Sequence, residues 1–414
     1  MIRISTAQSF DTGVERLQER QVELAEAQKR MTSGKRVSKA SDDPTAAARA
    51  ERALASISRS EASQRALEAS RHAMSLTEGA LADAGELMQQ AREAIVAAGN
   101  ATYSDVERSG LGDRLIAIRQ QLLSIANRAD GDGGYLFGGQ GGSQPPFIDA
   151  VGGVSFRATA GAVQVASDEP LPRSIDGQAA WLATASGNGL FETRSAAVAP
   201  NVSGSWIDAG RVVDPQAFYT ATSPPAVANP AALTYRADFT ISAAGTTFSV
   251  LKDGLATSLA NVPYVSGKAM ELDGMSFAVS GTPVAGDAFE VKLASPTLGV
   301  FSTFDRAIAE LKTPLRSNAA VTQGVQRALS DLDGSAGALQ SLRSRVGEVL
   351  NRADMVEGRI ATQVLSAQTE RSTAEDLDMV KAISEFQNMQ SGYEAALKTY
   401  SMVQRMSLFQ YLNG

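Results

Sequence analysis

The sequence predicts an α+β chain: an elongated rod with heptad helices at both ends of the chain, a long-helix bundle inside them, and an inserted β-rich domain. Three observations carry that prediction. Phe10, Leu17, Leu24 and Met31 recur at seven-residue spacing near one end, as do Met379, Phe386, Tyr393 and Tyr400 near the other. From about Gly141 to Ser295 charged residues thin out, Gly, Pro, Ser and Thr accumulate, and the apolar period drops to two. Val325, Leu329, Leu332, Ala336, Leu339, Leu342, Val346, Val349, Ala353, Val356, Ile360, Gln363 and Ala367 then alternate steps of three and four, the signature of one very long helical face.

The N-terminal heptads have Val14 beside them and Glu15, Arg16, Glu19 and Arg20 on the remaining positions, so the seam is flanked by charge. This helix stops near Ser33-Gly34. Asp43 is placed to cap the next one, with Pro44 at the first position, where a missing N–H costs nothing. The second helix runs to about Ala98 on Met74, Thr77, Leu81, Ala84, Met88, Ala91 and Ile95, with a weaker earlier face through Leu54, Ile57 and Leu67. Gly99-Asn100 breaks it. Ser104-Asp105-Val106-Glu107 reads as a capping box, opening a helix on Leu111, Leu115, Ile118, Leu122 and Ile125 that is expected to end at Gly131-Asp132-Gly133-Gly134.

Strands are expected at Val163–Val165, Tyr235–Ile241, Thr247–Leu251, Ser276–Ser280 and Ala288–Leu293, with turns at Lys252-Asp253-Gly254 and Leu272-Asp273-Gly274. Residues 166–232, with their Pro-Pro and Asn-Pro dipeptides, give no clear period. Helix returns at Leu298–Leu311, breaks at Thr313-Pro314 and resumes in the long face. Gly334, Gly337, Gly347 and Gly358 weaken that helix by about 1 kcal/mol each, so tertiary packing must hold it.

The last helix adds Ile383 and Leu397 four residues along its repeats and a flanking row of Met389, Ala396 and Val403, and stays apolar to Leu408-Phe409-Gln410-Tyr411-Leu412. Four heptads make only a marginal two-stranded pair and leave apolar surface uncovered. Subunit contacts are therefore expected at Phe10, Leu17, Leu24, Met31, Met379, Ile383, Phe386, Tyr393, Leu397, Tyr400, Val403 and Tyr411. An intramolecular bundle closed by the same stripes is the alternative. The nested order predicts three domains: residues 1–40 with 374–414, residues 41–140 with 298–373, and residues 141–297.

With 414 residues, a net charge of -7 and a pI near 5.1, the chain has length for several domains and no basic footprint for nucleic acid or anionic membrane. No cysteine and a single histidine exclude thiolate and multi-histidine metal motifs. The opening residues lack a secretory leader pattern and no run of 18 apolar residues occurs, so a secreted chain would leave without a cleaved signal.

No catalytic constellation stands out, and no cofactor is expected. The cluster Gly131–Gly142 lacks the Lys-Ser/Thr of a phosphate loop and reads as an interdomain hinge. Asp130 and Asp132 lack the downstream Glu of a calcium loop, and His72 reads as a surface or packing residue. A hydrolase built on paired carboxylates such as Asp238 and Glu271 is the enzymatic alternative, unsupported by spacing.

Met31-Thr32-Ser33-Gly34-Lys35-Arg36-Val37-Ser38-Lys39-Ala40-Ser41-Asp42-Asp43-Pro44 resembles the N-terminal signature of the bacterial flagellin superfamily. Gly347-Glu348-Val349-Leu350-Asn351-Arg352, Asp376-Leu377-Asp378-Met379 and the closing Ser407-Leu408-Phe409-Gln410-Tyr411-Leu412 are similar to its C-terminal half. Met1-Ile2-Arg3-Ile4-Ser5-Thr6 and Gly134-Tyr135-Leu136-Phe137-Gly138-Gly139 look more like the hook-associated branch than flagellin proper. The resemblance implies D0-like termini, a D1-like bundle and a D2-like insert. It also implies a non-enzymatic, secreted subunit of the bacterial flagellum, exported by the type III apparatus with a chaperone. Such a subunit would form a homo-oligomeric ring between hook-associated protein 1 and the flagellin filament; the bulk filament subunit is the alternative.

Overall fold

The computed structural model describes residues 6–165, 169–196, 203–224, 229–243, 245–295 and 298–412, with the backbone alone described at 6–10, 231 and 403–412. In chain order come α1 (Thr6–Ser33), α2 (Pro44–Ala98), α3 (Asp105–Ala126), β1 (Phe147–Ala150), β2 (Gly153–Phe156), α4 (Gly177–Trp181), β3 (Phe191–Ser195), β4 (Trp206–Ile207) and β5 (Arg211–Val212). They are followed by α5 (Pro215–Thr222), β6 (Thr234–Ser242), β7 (Gly245–Lys252), β8 (Leu255–Ala256), β9 (Val262–Pro263), β10 (Ala269–Leu272), β11 (Met275–Ser280), β12 (Ala288–Leu293), α6 (Val300–Lys312), α7 (Asn318–Glu375) and α8 (Met379–Leu412). Long helices thus open and close the chain and strands occupy its middle, the α+β order the periodicities predict. Two compact units form, residues 1–65 with 356–414 and residues 66–355, the division falling within α2 and α7.

In the second unit, α2 lies antiparallel to α7, with Arg71–Asp354 (3.7 Å), Arg343–Glu78 and Arg92–Asp333 (2.9 Å) marking the register. The seven residues expected on the α2 face, from Met74 to Ile95, are all buried. All but Thr77 join Leu115, Ile118 and Leu122 of α3, Phe301 and Phe304 of α6 and Leu332, Leu339 and Val346 of α7 in one core. The capping box forms as predicted: Glu107 N–H donates to Ser104 Oγ at 3.3 Å and Ser104 N–H to Glu107 Oε2 at 2.7 Å.

Five expectations need correction. α3 ends at Ala126 and not at the glycines, because the Asn127 side chain leaves the helix to pair both ways with the Phe147 backbone, accepting from its N–H and donating to its carbonyl, each at 2.9 Å. The glycine cluster is no hinge at its centre: Leu136 and Phe137 are fully buried, Phe137 stands edge-on to Trp181 at 5.4 Å, and Gly139 N–H donates to Ile175 O. Val163–Val165 forms only an isolated bridge from Gln164 to Pro172, which has no N–H to return. Leu54 is 39 % exposed, because Ala50, Ala53 and Ile57 take the buried positions on that stretch of α2; Gln363 of α7 is likewise exposed.

A second core lies among the strands, filled by Phe191, Ile207, Tyr235, Phe239, Met275, Phe277 and Phe289. All pairings are antiparallel: one sheet runs β3-β12-β6-β7-β8 with β9 also on β7, another β10-β11-β4 with β5 also on β11, and β1 pairs β2. The two turns read from sequence are present, with positive φ at Asp253 and Gly254 and at Asp273 and Gly274, the geometry that matches strand twist in a tight hairpin. At Gly274 there is a further reason for glycine, since a Cβ would sit 2.3 Å from the Asp214 carbonyl.

Candidate assembly interface

The apolar terminal stripes belong to the first unit, where α1 packs antiparallel on α8. The register is set by small residues: a Cβ on Gly13 would rest 3.5 Å from the Tyr400 ring, and one on Gly392 would meet the Arg20 guanidinium at 2.9 Å. A two-helix pair has one seam, so each helix covers one row. On α1 that row is Gly13, Leu17, Leu24, Ala27 and Met31, and on α8 it is Ala382, Phe386, Tyr393, Ala396 and Tyr400, all half-buried.

The structure therefore divides the expected contact residues. Leu17, Leu24, Met31, Phe386, Tyr393 and Tyr400 come together within the chain, whereas Met379, one heptad before Phe386, and Ile383 and Leu397 beside that row are each 42 % exposed, with Val380 at 83 %. The side chains of Phe10, Val403 and Tyr411 lie outside the described residues.

Where α1 gives way to α2, and α7 to α8, the two breaks are bound to each other. Leu377 N–H donates to Gly34 O at 2.9 Å and Arg36 N–H to Glu375 O at 2.7 Å, while Lys35 Nζ stands 3.2 Å from the Glu375 carboxylate. Gly34 turns the chain with φ +69. Arg36 then spans two helix ends, donating through Nη2 to Ala374 O in the last turn of α7 and through Nη1 to Asp43, the cap of α2. A cation at a C-terminus and an anion at an N-terminus both suit the helix dipoles. The Ala46 N–H, the Thr45 hydroxyl and Arg36, in that order, draw the Asp43 carboxyl down to about 2. Sequence reasoning found both breaks and the cap but not their pairing, for which no spacing gives a signal.

The other candidates are occupied locally. Asp130 Oδ1 accepts the N–H groups of Asp132 and Gly134, and Asp132 pairs with Arg173 at 2.9 Å. Asp238 pairs with Arg236 on its own strand at 2.7 Å, and the structure leaves Glu271 exposed on a different sheet. Among the described residues no group of three His, Cys, Asp or Glu could hold a metal, His72 is exposed, and no helix is long and apolar enough to cross a membrane.

Residues 4–141 match the family described as bacterial flagellin N-terminal helical region, and residues 329–412 the bacterial flagellin C-terminal helical region, together more than half of the chain. The chain belongs to the bacterial flagellin family. Within what that family contains, it is 35 % identical to the flagellar hook-associated protein 3 of Salmonella typhimurium over 152 residues, 37 % of this chain and 48 % of that one. The match thus spans about half of that relative. To the protein of the same description from Escherichia coli it is 23 % identical over 413 residues, 99 % of both chains. The crystal structure of the flagellar junction protein FlgL from Legionella pneumophila superposes with a TM-score of 0.64 at 26 % identity, covering 71 % of this chain and 95 % of that one. These likenesses support a structural role in the flagellum, and the flagellin-family segments are those that carry the paired breaks and the partly exposed apolar edge of α8.

Proposed function

We propose that this chain is the subunit of a ring joining hook-associated protein 1 to the flagellin filament, exported through the flagellar type III apparatus with a chaperone and needed for filament attachment and motility. The observation that carries this reading is the apolar edge of the α8 seam, Met379, Ile383 and Leu397, each left 42 % exposed by a helix pair whose seam residues are half-buried. Residues 1–40 with 374–414 then form the assembly domain, and the twelve terminal apolar positions divide between an intrachain seam and subunit contacts. Resemblance to proteins named for the hook and for the junction favours the junction over the bulk filament. The test is a deletion strain. Hooks without filaments and flagellin shed unpolymerised into the medium are expected; filaments that persist, or purified filaments composed of this chain, would show a filament subunit instead.

A further inference from the structure

Where α6 turns into α7, three arginines face one groove of about 410 Å³ lined by Arg306, Glu310, Arg316, Gly324, Arg327 and Asp331. Arg316 is committed, bound to the Glu310 carboxylate and donating to Ala320 O at 2.9 Å. The other two make only loose ion pairs. Arg306 comes no nearer than 3.6 Å to Asp331, and Arg327 no nearer than 3.7 Å to Glu310, both beyond hydrogen-bond length. Arg327 Nε is buried with no hydrogen-bond partner, the costly condition for a donor on a charged group.

Two carboxylates line the groove with the three arginines, and a third, Glu192, lies near enough to Asp331 to act on it, yet none comes within hydrogen-bond length of Arg306 or Arg327. Glu310 serves Arg316, and Asp331, whose side chain is 4 % exposed, accepts the Gly187 N–H at 2.9 Å from the loop before β3. Burial pushes the Asp331 carboxyl up, against the Gly187 N–H, Arg306 and Arg327, which draw it down. Gly324 lets the Glu310–Arg316 pair pack against α7, since a Cβ there would stand 2.8 Å from Glu310 Oε2 and 3.1 Å from Arg316 Nη1. A guanidinium presents five donors in a planar fork that matches an oxyanion's paired oxygens.

We infer that this groove is an oxyanion site, in which Arg306 and Arg327 hold a carboxylate or phosphate group. The inference stands apart from the junction reading, because it rests on residues of the second unit alone. The test is thermal unfolding of the full chain titrated with sodium phosphate, and separately with sodium glutarate, against sodium chloride at equal ionic strength. A saturable rise in melting temperature above the chloride curve is expected, lost in Arg306→Gln/Arg327→Gln. Arg327→Lys, which keeps the charge but not the fork, should shift half-saturation by roughly tenfold. A response to glutarate alone assigns the site to a carboxylate, as on a partner's Asp or Glu; a response to phosphate alone assigns it to a free tetrahedral anion. Equal curves for wild type and the double variant, or no rise above chloride with either anion, would overturn the inference.

Discussion

Truncating one residue on each of two helices separates folding from assembly. Ile360 of α7 is 6 % exposed and Leu397 of α8 is 42 % exposed. Ile→Ala in a core costs about 2–5 kcal/mol as transfer and cavity terms combined. Ile360 lines an open groove of about 500 Å³ beside Ser60, Gln64 and Val364, so its neighbours and water can partly fill the gap. That places Ile360→Ala near the low end, about 2–3 kcal/mol. Leu397→Ala removes a side chain already partly in water, and Leu and Ala have similar helix propensity, so less than about 1 kcal/mol is expected. Urea unfolding of each purified variant, with motility measured for the same substitution in cells, reads both quantities. Ile360→Ala should shift the unfolding midpoint; Leu397→Ala should leave it nearly in place and still abolish filament attachment, because its burial is then a property of association. Equal destabilisation by the two substitutions would refute this division and return Leu397 to the interior of a self-contained bundle.

Arg119 of α3, itself 8 % exposed, ties Asp149 of β1 to Asp305 of α6, so Arg119→Ala should lower stability by about 1–3 kcal/mol in a denaturant melt, less than for a fully buried pair because both carboxylates keep some water. Gly274→Ala meets both a left-handed φ of +76 and the Asp214 carbonyl, and should cost about 2–3 kcal/mol. Asp43 is held at about 2 against an ordinary 3.8, a depressed carboxylate, so its stabilisation is full above 3.8 and is lost as pH falls toward 2. Asp43→Asn, which retains a cap but not the ion pair, should flatten that part of the acid-unfolding curve measured by circular dichroism.

Helix positions were legible wherever large apolar residues keep a register, as from Met74 to Ile95, and α2 begins and ends where Pro44 and Gly99 imply. The face was lost at Leu54 because the buried positions there are Ala50 and Ala53, and alanine carries little periodic contrast. Strands flanked by Asp-Gly turns were found; residues 166–232 were not, since their described strands of two and five residues and helices of five and eight are fixed by distant partners and not by local period. For the proposed assembly surface, the apolar positions of α8 were legible but not which of them α1 would cover. That choice follows from glycine and alanine at Gly13, Ala27, Ala382 and Ala396, which admit the partner helix closely and look unremarkable in a hydropathy pattern.

The antiparallel seating of Gly13 against Tyr400 ties the first helix to the last across nearly the entire chain. α1 is synthesised well before α8 and must wait for it before Leu17, Leu24 and Met31 find cover, and no local contact can stand in for it. Synthesis of α8 is thereby a precondition for a covered α1. A chain cut short anywhere before α8 carries an unpaired α1 with an open seam, so the architecture itself discriminates between whole and broken molecules.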